Sequence, residues 1–123
     1  DAPTSFGILG SSMTESSGIF TFPSTGYWLV IAQLKWQASN TSHYCGLTIQ
    51  TTHDNSTYAS ASESASDGTQ SFGGVNCSYI FDVTSTSNCK CRMHITQGHD
   101  SNTTLGSSDV HMTGFTFIHL ADT

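Results

Sequence analysis

Basic residues are scarce in this chain. Lys35, Lys90 and Arg92 face nine Asp and Glu residues, so the 123 residues carry a formal net charge of −6. Proteins that hold DNA or RNA through phosphates need clustered Lys and Arg, and we therefore expect no nucleic-acid partner. The sequence also lacks an apolar run near the roughly 20 residues that span a bilayer, so we expect no membrane insertion. No signal peptide precedes Asp1, which predicts a processed or excised piece at the end of a longer protein.

Motifs that carry catalysis are missing as well. The sequence has no Gly-X-Ser-X-Gly elbow, no phosphate-binding glycine loop, and no His-X-His or His-Glu-X-X-His pair among its six His. Glu63 and Asp67 fall in residues 60–71, which we predict to be a solvated loop, whereas glycosidase carboxylates usually come from separate strands. We therefore expect a protein that is not an enzyme and that uses neither a metal ion nor a cofactor.

Cysteine is limited to four positions, too few for disulfides to replace a core. Cys89 and Cys91 form one closely spaced pair, and structural zinc sites usually need two such pairs or added His ligands. If successive strands run up and down, Cys45 and Cys77 begin strands at the same end of the domain. This direction favours a Cys45–Cys77 disulfide between two sheets, while the pairing of Cys89 and Cys91 stays open.

The abundant residues indicate a β protein. Ser and Thr number 38, aromatic residues make up 11% of the chain and charged residues only 10%, which suits strands and turns better than exposed helices. Strand signals occur at residues 4–9, 18–22, 27–36, 44–52, 57–62 (weakly), 75–83, 89–96 and 111–120. We predict a single all-β domain over residues 1–123, built as a two-sheet jelly-roll sandwich of about ten antiparallel strands.

Three of these strands are apolar on both faces. In residues 27–36 one face carries Trp28, Val30 and further apolar residues, and the other begins with Tyr27 and Leu29. Residues 75–83 and 111–120 repeat the pattern, although an antiparallel strand with one wet face should alternate apolar and polar residues. The pattern favours an oligomer over a monomer with a few exposed aromatic side chains.

Three segments occur in an order that resembles the globular head of the complement first component (q subcomponent) and the tumour-necrosis-factor superfamily. They are residues 17–28 (SGIFTFPSTGYW), residues 81–83 leading into 89–95, and residues 113–118 (TGFTFI). The resemblance implies a ten-stranded jelly roll that assembles as a tight homotrimer, with residues 27–36, 75–83 and 111–120 in the inner sheet. The positions expected at its trimer interface are Tyr27, Leu29, Tyr79, Phe81, Phe115, Phe117 and His119, of which His119 would make assembly pH-sensitive if it met its copies at the trimer axis.

The charge-poor composition and the ending FIHLADT (residues 117–123) differ from the animal family and resemble jelly-roll tips on phage and other viral fibres. We expect the head or tip of a fibrous protein that binds a cell-surface glycan or protein receptor, most simply for viral host attachment. A secreted complement-head-like recognition domain of a eukaryote and a purely structural trimerisation or capsid- and fibre-capping domain are the alternatives. Either recognition role implies an extracellular or virion-surface location.

Strand direction also predicts where a ligand would bind. Residues 37–43, 63–74 and 97–108 should meet at one end of the domain, and residues 52–57 and 84–88 at the other. Loops held by a rigid sandwich are where binding residues concentrate. The candidate ligand-binding residues in the first group are Asn40, His43, Asp67, Gln70, His99, Asp100 and Asn102, against the alternative that these polar loops are merely solvated.

Overall fold

The computed structural model describes residues 8–38, 43–68, 72–98 and 101–123, and the described chain is all-β with two antiparallel sheets. Within these residues no helix has the length and apolar character needed to cross a membrane. The strands are β1 (Thr14–Ser16), β2 (Ile19–Thr21), β3 (Gly26–Gln37), β4 (His43–Thr52), β5 (Ala59–Gly68), β6 (Phe72–Val83), β7 (Lys90–Gln97), β8 (Thr103–Thr104) and β9 (Gly114–Ala121).

The two sheets divide the strands five to four. The first sheet has the order β1-β2-β7-β4-β5, and in the second β3 lies between β6 and the pair β8 and β9. The second sheet thus contains the three strands with two apolar faces, which confirms the prediction that residues 27–36, 75–83 and 111–120 share one sheet.

The inner face of β3 forms the centre of the core. Trp28, Val30, Leu34 and Trp36 are all buried, alternating with more exposed neighbours. They pack against inward residues of the first sheet such as Leu47. The strict alternation identifies one inner face, as expected for a sheet that packs against a second sheet.

An aromatic cluster closes one end of the core around Phe22, the residue after β2. The Phe22 ring centroid lies 5.5 Å from those of Trp28 and Phe81 and 5.8 Å from that of Phe117. Two of these contacts are edge-to-face, a geometry that aromatic rings favour. Phe22 therefore connects the short β2 in the first sheet to three strands of the second.

Strand β5 corrects the predicted loop over residues 60–71. It runs from Ala59 to Gly68 and pairs with β4 along its length, with a register shift between Ile49 and Gln50. Its sequence, ASASESASDG, has little intrinsic strand preference. Pairing with the buried β4 therefore determines its conformation, and small side chains let it lie close to β6.

The remaining differences are at strand ends. Residues 4–7 of the predicted first strand lie outside the described residues, and residues 8 and 9 are not in a strand. β9 begins at Gly114 rather than at residue 111, and the short β1 and β8 were not predicted. Strands of two or three residues are too short to show alternation.

The strand registers show which strand ends lie at the same end of the domain. At one end Cys45 pairs with Gln97, His43 with Gly68 and Gln37 with Phe72, so the last residues of β3, β5 and β7 lie there. Residues 39–42, 69–71 and 99–100 of the connections predicted to meet at this end lie outside the described residues. At the opposite end the backbone N–H of Asn55 donates to the Asn88 carbonyl at 3.0 Å.

The turn after β4 is organised by the Asp54 carboxylate. Its Oδ1 accepts hydrogen bonds from the Thr57 N–H (2.7 Å), the Thr52 hydroxyl (2.7 Å) and the Ser56 N–H (2.9 Å). These bonds stabilise the charged form and hold the pKa of Asp54 well below its usual range. Asn55 adopts φ 59° at the tip, a left-handed conformation that Asn tolerates better than most residues.

Candidate functional site

A shallow groove of about 700 Å³ crosses β6 where Gly73 and Gly74 leave the strand without side chains. β6 has a single sheet neighbour, β3, among the described strands, so its other edge faces the groove. On the far side the edge strand β5 contributes Ser64 and Ser66. Two edges that belong to different sheets therefore form the walls of the groove.

Trp36 is buried below the groove and supports two of the residues that line it, Ser66 and Gly73. Its indole N–H donates to the Ser66 hydroxyl at 3.0 Å, and its ring lies directly beneath Gly73. A Cβ at Gly73 would lie 2.4 Å from Trp36 Cε2, whereas a Cβ at Gly74 would meet nothing closer than the Leu34 carbonyl at 3.8 Å. The first glycine is thus required by packing, and the second leaves open space in the groove.

One rim of the groove is held in place by polar contacts from β3. The Gln33 amide donates to the His111 carbonyl at 2.5 Å, and the Thr113 hydroxyl accepts from the Lys35 N–H at 3.0 Å. The same Thr113 hydroxyl donates to the Leu105 carbonyl at 2.7 Å. These bonds join the segment before β9 to the sheet, so that the lining residues His111 and Met112 lie beside Lys35.

The groove lies at the end of the domain that the candidate ligand-binding residues were predicted to occupy. Asp67 is exposed near the end of β5, and the His43 backbone pairs with Gly68 at the start of β4. Four of the candidates, Asn40, Gln70, His99 and Asp100, lie outside the described residues. The groove itself was not predicted, because Gly73, Ser64 and Lys35 come together only through strand pairing.

Asn102 does not present its side chain to a ligand as predicted. It is 5% exposed, and its Nδ2 donates to the Tyr44 carbonyl at 3.3 Å and contacts Cys45 Sγ at 3.9 Å. Its Oδ1 is buried, and no described residue forms a hydrogen bond with it. The Asn102 side chain therefore belongs to the buried interior, next to Tyr44 and Cys45.

A second feature of the same sheet is an apolar patch on its outer face. We call it the outer patch; it consists of Tyr27, Leu29 and Ile31 from β3, Ile80 from β6 and Ile118 from β9. Leu29 pairs with Ile80 on one side and with Ile118 on the other. Tyr27, Ile80 and Ile118 are between 43% and 58% exposed, a large apolar fraction for adjacent residues.

Only some of the residues predicted for a trimer interface lie on the outer face of the sheet. Tyr27 and Leu29 belong to it, but Trp28 pairs with Phe81 and Val30 with Tyr79, on the inner face of the sheet. Phe81 is 1% exposed, so a partner chain could cover almost none of it.

The residues of β9 likewise divide between the inner and the outer face of the sheet. Phe115 and Phe117 pair with Ala32 and Val30 and pack against the core, with Phe117 also near Phe20. His119 pairs with Trp28, and its ring centroid lies 4.7 Å from that of the indole. Phe115 and Phe117 therefore face the core, and Ile118 takes the outward position after them. His119 lies on the same strand face as the two phenylalanines but is exposed near the end of the strand.

The predicted Cys45–Cys77 disulfide is not formed, since all four cysteines are free and buried. The Cys77 thiol points to the Leu47 and Ser62 carbonyls, at 3.7 and 3.8 Å. Burial raises the pKa of Cys91 to about 12 and also raises the pKa of Cys45 and Cys77.

The Cys89 thiol lies 3.7 Å from His53 Nδ1, a pairing found in nucleophilic cysteines. Because Cys89 has no exposed surface, no substrate can reach its sulfur in the folded chain. Within the described ranges, no three His, Cys, Asp or Glu side chains are grouped closely enough to hold a metal ion.

We expect the four thiols to be unreactive in the folded chain. Because the sulfur atoms are buried, Ellman's reagent should label almost no thiol under native conditions and four per chain in denaturant. Samples prepared without reductant should give the same count. A count of two in denaturant would show that a disulfide is present.

No family model matches this chain, and the search of curated proteins likewise finds no match. The groove and the outer patch are therefore the surface features of the described chain that bear on its function.

Proposed function

We propose that this chain is the homotrimeric head of a fibrous protein and that it binds a cell-surface glycan or protein receptor, with viral host attachment as the role. The outer patch carries the proposal, because a sheet face with exposed Tyr27, Ile80 and Ile118 gains from being covered by another copy. The trimeric stoichiometry is taken from the resemblance to complement-head and tumour-necrosis-factor domains.

The chain path supports a jelly roll. β2 lies in the first sheet and β3 in the second, β4 and β5 return to the first, β6 crosses back, and β7 and β9 repeat the alternation. Most successive strands therefore change sheets, which favours a jelly roll over two stacked meanders.

A buried, unpaired acceptor beside the outer patch supports assembly. Asp82 pairs in register with Tyr27, and its buried Oδ1 has no hydrogen-bond partner among the described residues. Buried carboxylate oxygens almost always have a donor. A donor from a neighbouring copy seated on the outer patch would satisfy this oxygen.

Recognition, rather than a purely structural role, is favoured by the groove. The outer patch occupies the first half of β3, up to Ile31, and the groove lining on the same strand begins at Gln33, so the two surfaces adjoin without sharing a residue. Assembly through the patch would leave three grooves at one end of the trimer. Three weak sites on one body bind a surface more tightly than one site does.

We expect light scattering to give three times the 13.1 kDa chain mass, and Ile80→Asp to reduce it to the mass of a monomer. Each trimer would bury three added carboxylates in an apolar contact, while the exposed position of Ile80 leaves the monomer fold intact.

Leu9→Asp is the matched control, because Leu9 is fully exposed outside the outer patch and the charge change is the same. The control should stay trimeric. A wild-type mass of 13.1 kDa at all concentrations would overturn the assembly.

A further inference from the structure

The groove differs electrostatically from the rest of this acidic chain. The described residues that line it include Lys35 and His111 but no Asp or Glu, although the chain has a net charge of −6. An anion in the groove would meet a positive side chain and no carboxylate among the described lining residues, which favours negative charge there.

Lys35 is also the basic side chain with no polar partner. Lys90 is buried and its ammonium donates to the Thr86 carbonyl at 2.6 Å. Arg92 donates to Gln50 Oε1 at 2.8 Å, and its guanidinium lies 4.1 Å from the centre of the Tyr58 ring. In the described parts of the chain the Lys35 ammonium forms no ion pair or side-chain hydrogen bond and lies 5.6 Å from the Phe72 ring centre. Its donors remain available to a ligand.

The rest of the lining suits a sugar. Ser64, Ser66 and Asn76 bring hydroxyl and amide groups to the groove, and Gly73 and Gly74 expose strand backbone to close approach. The Phe72 ring is 63% exposed at the rim and offers an apolar surface to sugar C–H groups. The volume of about 700 Å³ lies within the range of small-molecule sites, about 300–1,000 Å³.

We propose that this groove binds acidic saccharides, with Lys35 pairing the sugar carboxylate and the serine-lined wall of β5 binding its hydroxyls. A single ammonium matches one carboxylate, whereas sulfate and phosphate groups are usually held by Arg or by several donors together. The inference rests on the proposed recognition function and specifies its ligand class. Attachment to a surface would then require a uronic or sialic acid unit on that surface.

The test is an amide chemical-shift titration of the wild-type chain with sialyllactose and with digalacturonate, each compared with its neutral counterpart, lactose or α-1,4-linked galactobiose. We expect both acidic sugars to shift the amides of Lys35, Gly73 and Gly74 with millimolar dissociation constants. The neutral sugars should bind about tenfold more weakly, because they lack the charge-assisted contact. Equal binding of neutral and acidic sugars, or shifts confined to other parts of the chain, would overturn the proposal.

Two substitutions locate the site. Lys35→Gln removes the positive charge but keeps a polar side chain, and should weaken acidic-sugar binding about tenfold. Gly74→Val projects a branched side chain into space that the glycine leaves open and should abolish binding while the fold is retained.

Gly106→Val is the matched control, since a Cβ at Gly106 meets no atom within 4 Å and this glycine does not line the groove. It should bind like the wild type. If no acidic sugar binds a chain that light scattering shows to be trimeric, the ligand class is wrong and the assembly stands. If acidic sugars bind a monomer with the expected variant effects, the groove site stands and the assembly fails.

Discussion

Gly73→Ala is expected to destabilise the folded chain by about 1–3 kcal/mol, the usual cost of overpacking a core. The new methyl group would lie 2.4 Å from the Trp36 indole, which is fully buried and hydrogen-bonded to Ser66, so the ring has no free space to move into. Urea denaturation followed by far-UV circular dichroism measures the difference in the free energy of unfolding.

The adjacent glycine is the control. Gly74→Ala places its methyl group 3.8 Å from the Leu34 carbonyl, an ordinary contact, and should be neutral or slightly stabilising because alanine restricts the unfolded chain. Equal effects of the two substitutions would mean that Trp36 does not pack beneath Gly73.

Phe22→Ala should cost about 3–5 kcal/mol, since it removes the ring that joins Trp28, Phe81 and Phe117 and leaves a cavity between the sheets. This is a large share of the roughly 5–15 kcal/mol that holds a domain folded. If the variant does not fold, Phe22→Leu retains most of the apolar volume and should show a smaller loss in the same denaturation experiment.

Phe72→Ala is the matched comparison, because it removes the same atoms from an exposed ring. It should cost less than about 1 kcal/mol, the order of its contact with the Lys35 ammonium. A Phe22→Ala variant as stable as Phe72→Ala would contradict the packing described at the end of the core.

The sequence predicted the second sheet well because alternation alone carries the necessary information there. From Trp28 to Trp36 every second residue of β3 is apolar and buried. The strands that pair with β3 are also apolar on two faces, so that their common sheet could be inferred before any register was known. Long strands with bulky side chains are where periodicity is most informative.

Which face of β9 turns inward could not be predicted in the same way. Phe115 and Phe117 alternate with Thr116 and Ile118, and both sets contain apolar residues. The larger aromatic pair was assigned to an interface, although pairing of Phe117 with Val30 places it over the core. A shift of register by one residue would exchange the two faces, and register is a property of strand pairing rather than of one strand.

Strand β5 and the groove were missed for a related reason. The Ser and Ala residues of β5 carry almost no local signal, and their strand conformation depends on pairing with β4. The groove needs three segments that are distant in sequence, those of Lys35, Ser64 and Gly73. The glycine pair was visible in the sequence, but it fell in the predicted connection over residues 63–74 rather than at the start of a strand.

The position of β9 has a consequence for synthesis of the chain. β3 and β6 can pair as soon as residue 83 has left the ribosome, but the other edge of β3 receives its main partner only when β9 follows, about 30 residues later. During that interval a long apolar strand has an unsatisfied edge, to which an identical nascent chain could add. Neighbouring ribosomes on one messenger would bring such edges close together, so spacing between translating chains would favour correct folding over cross-pairing.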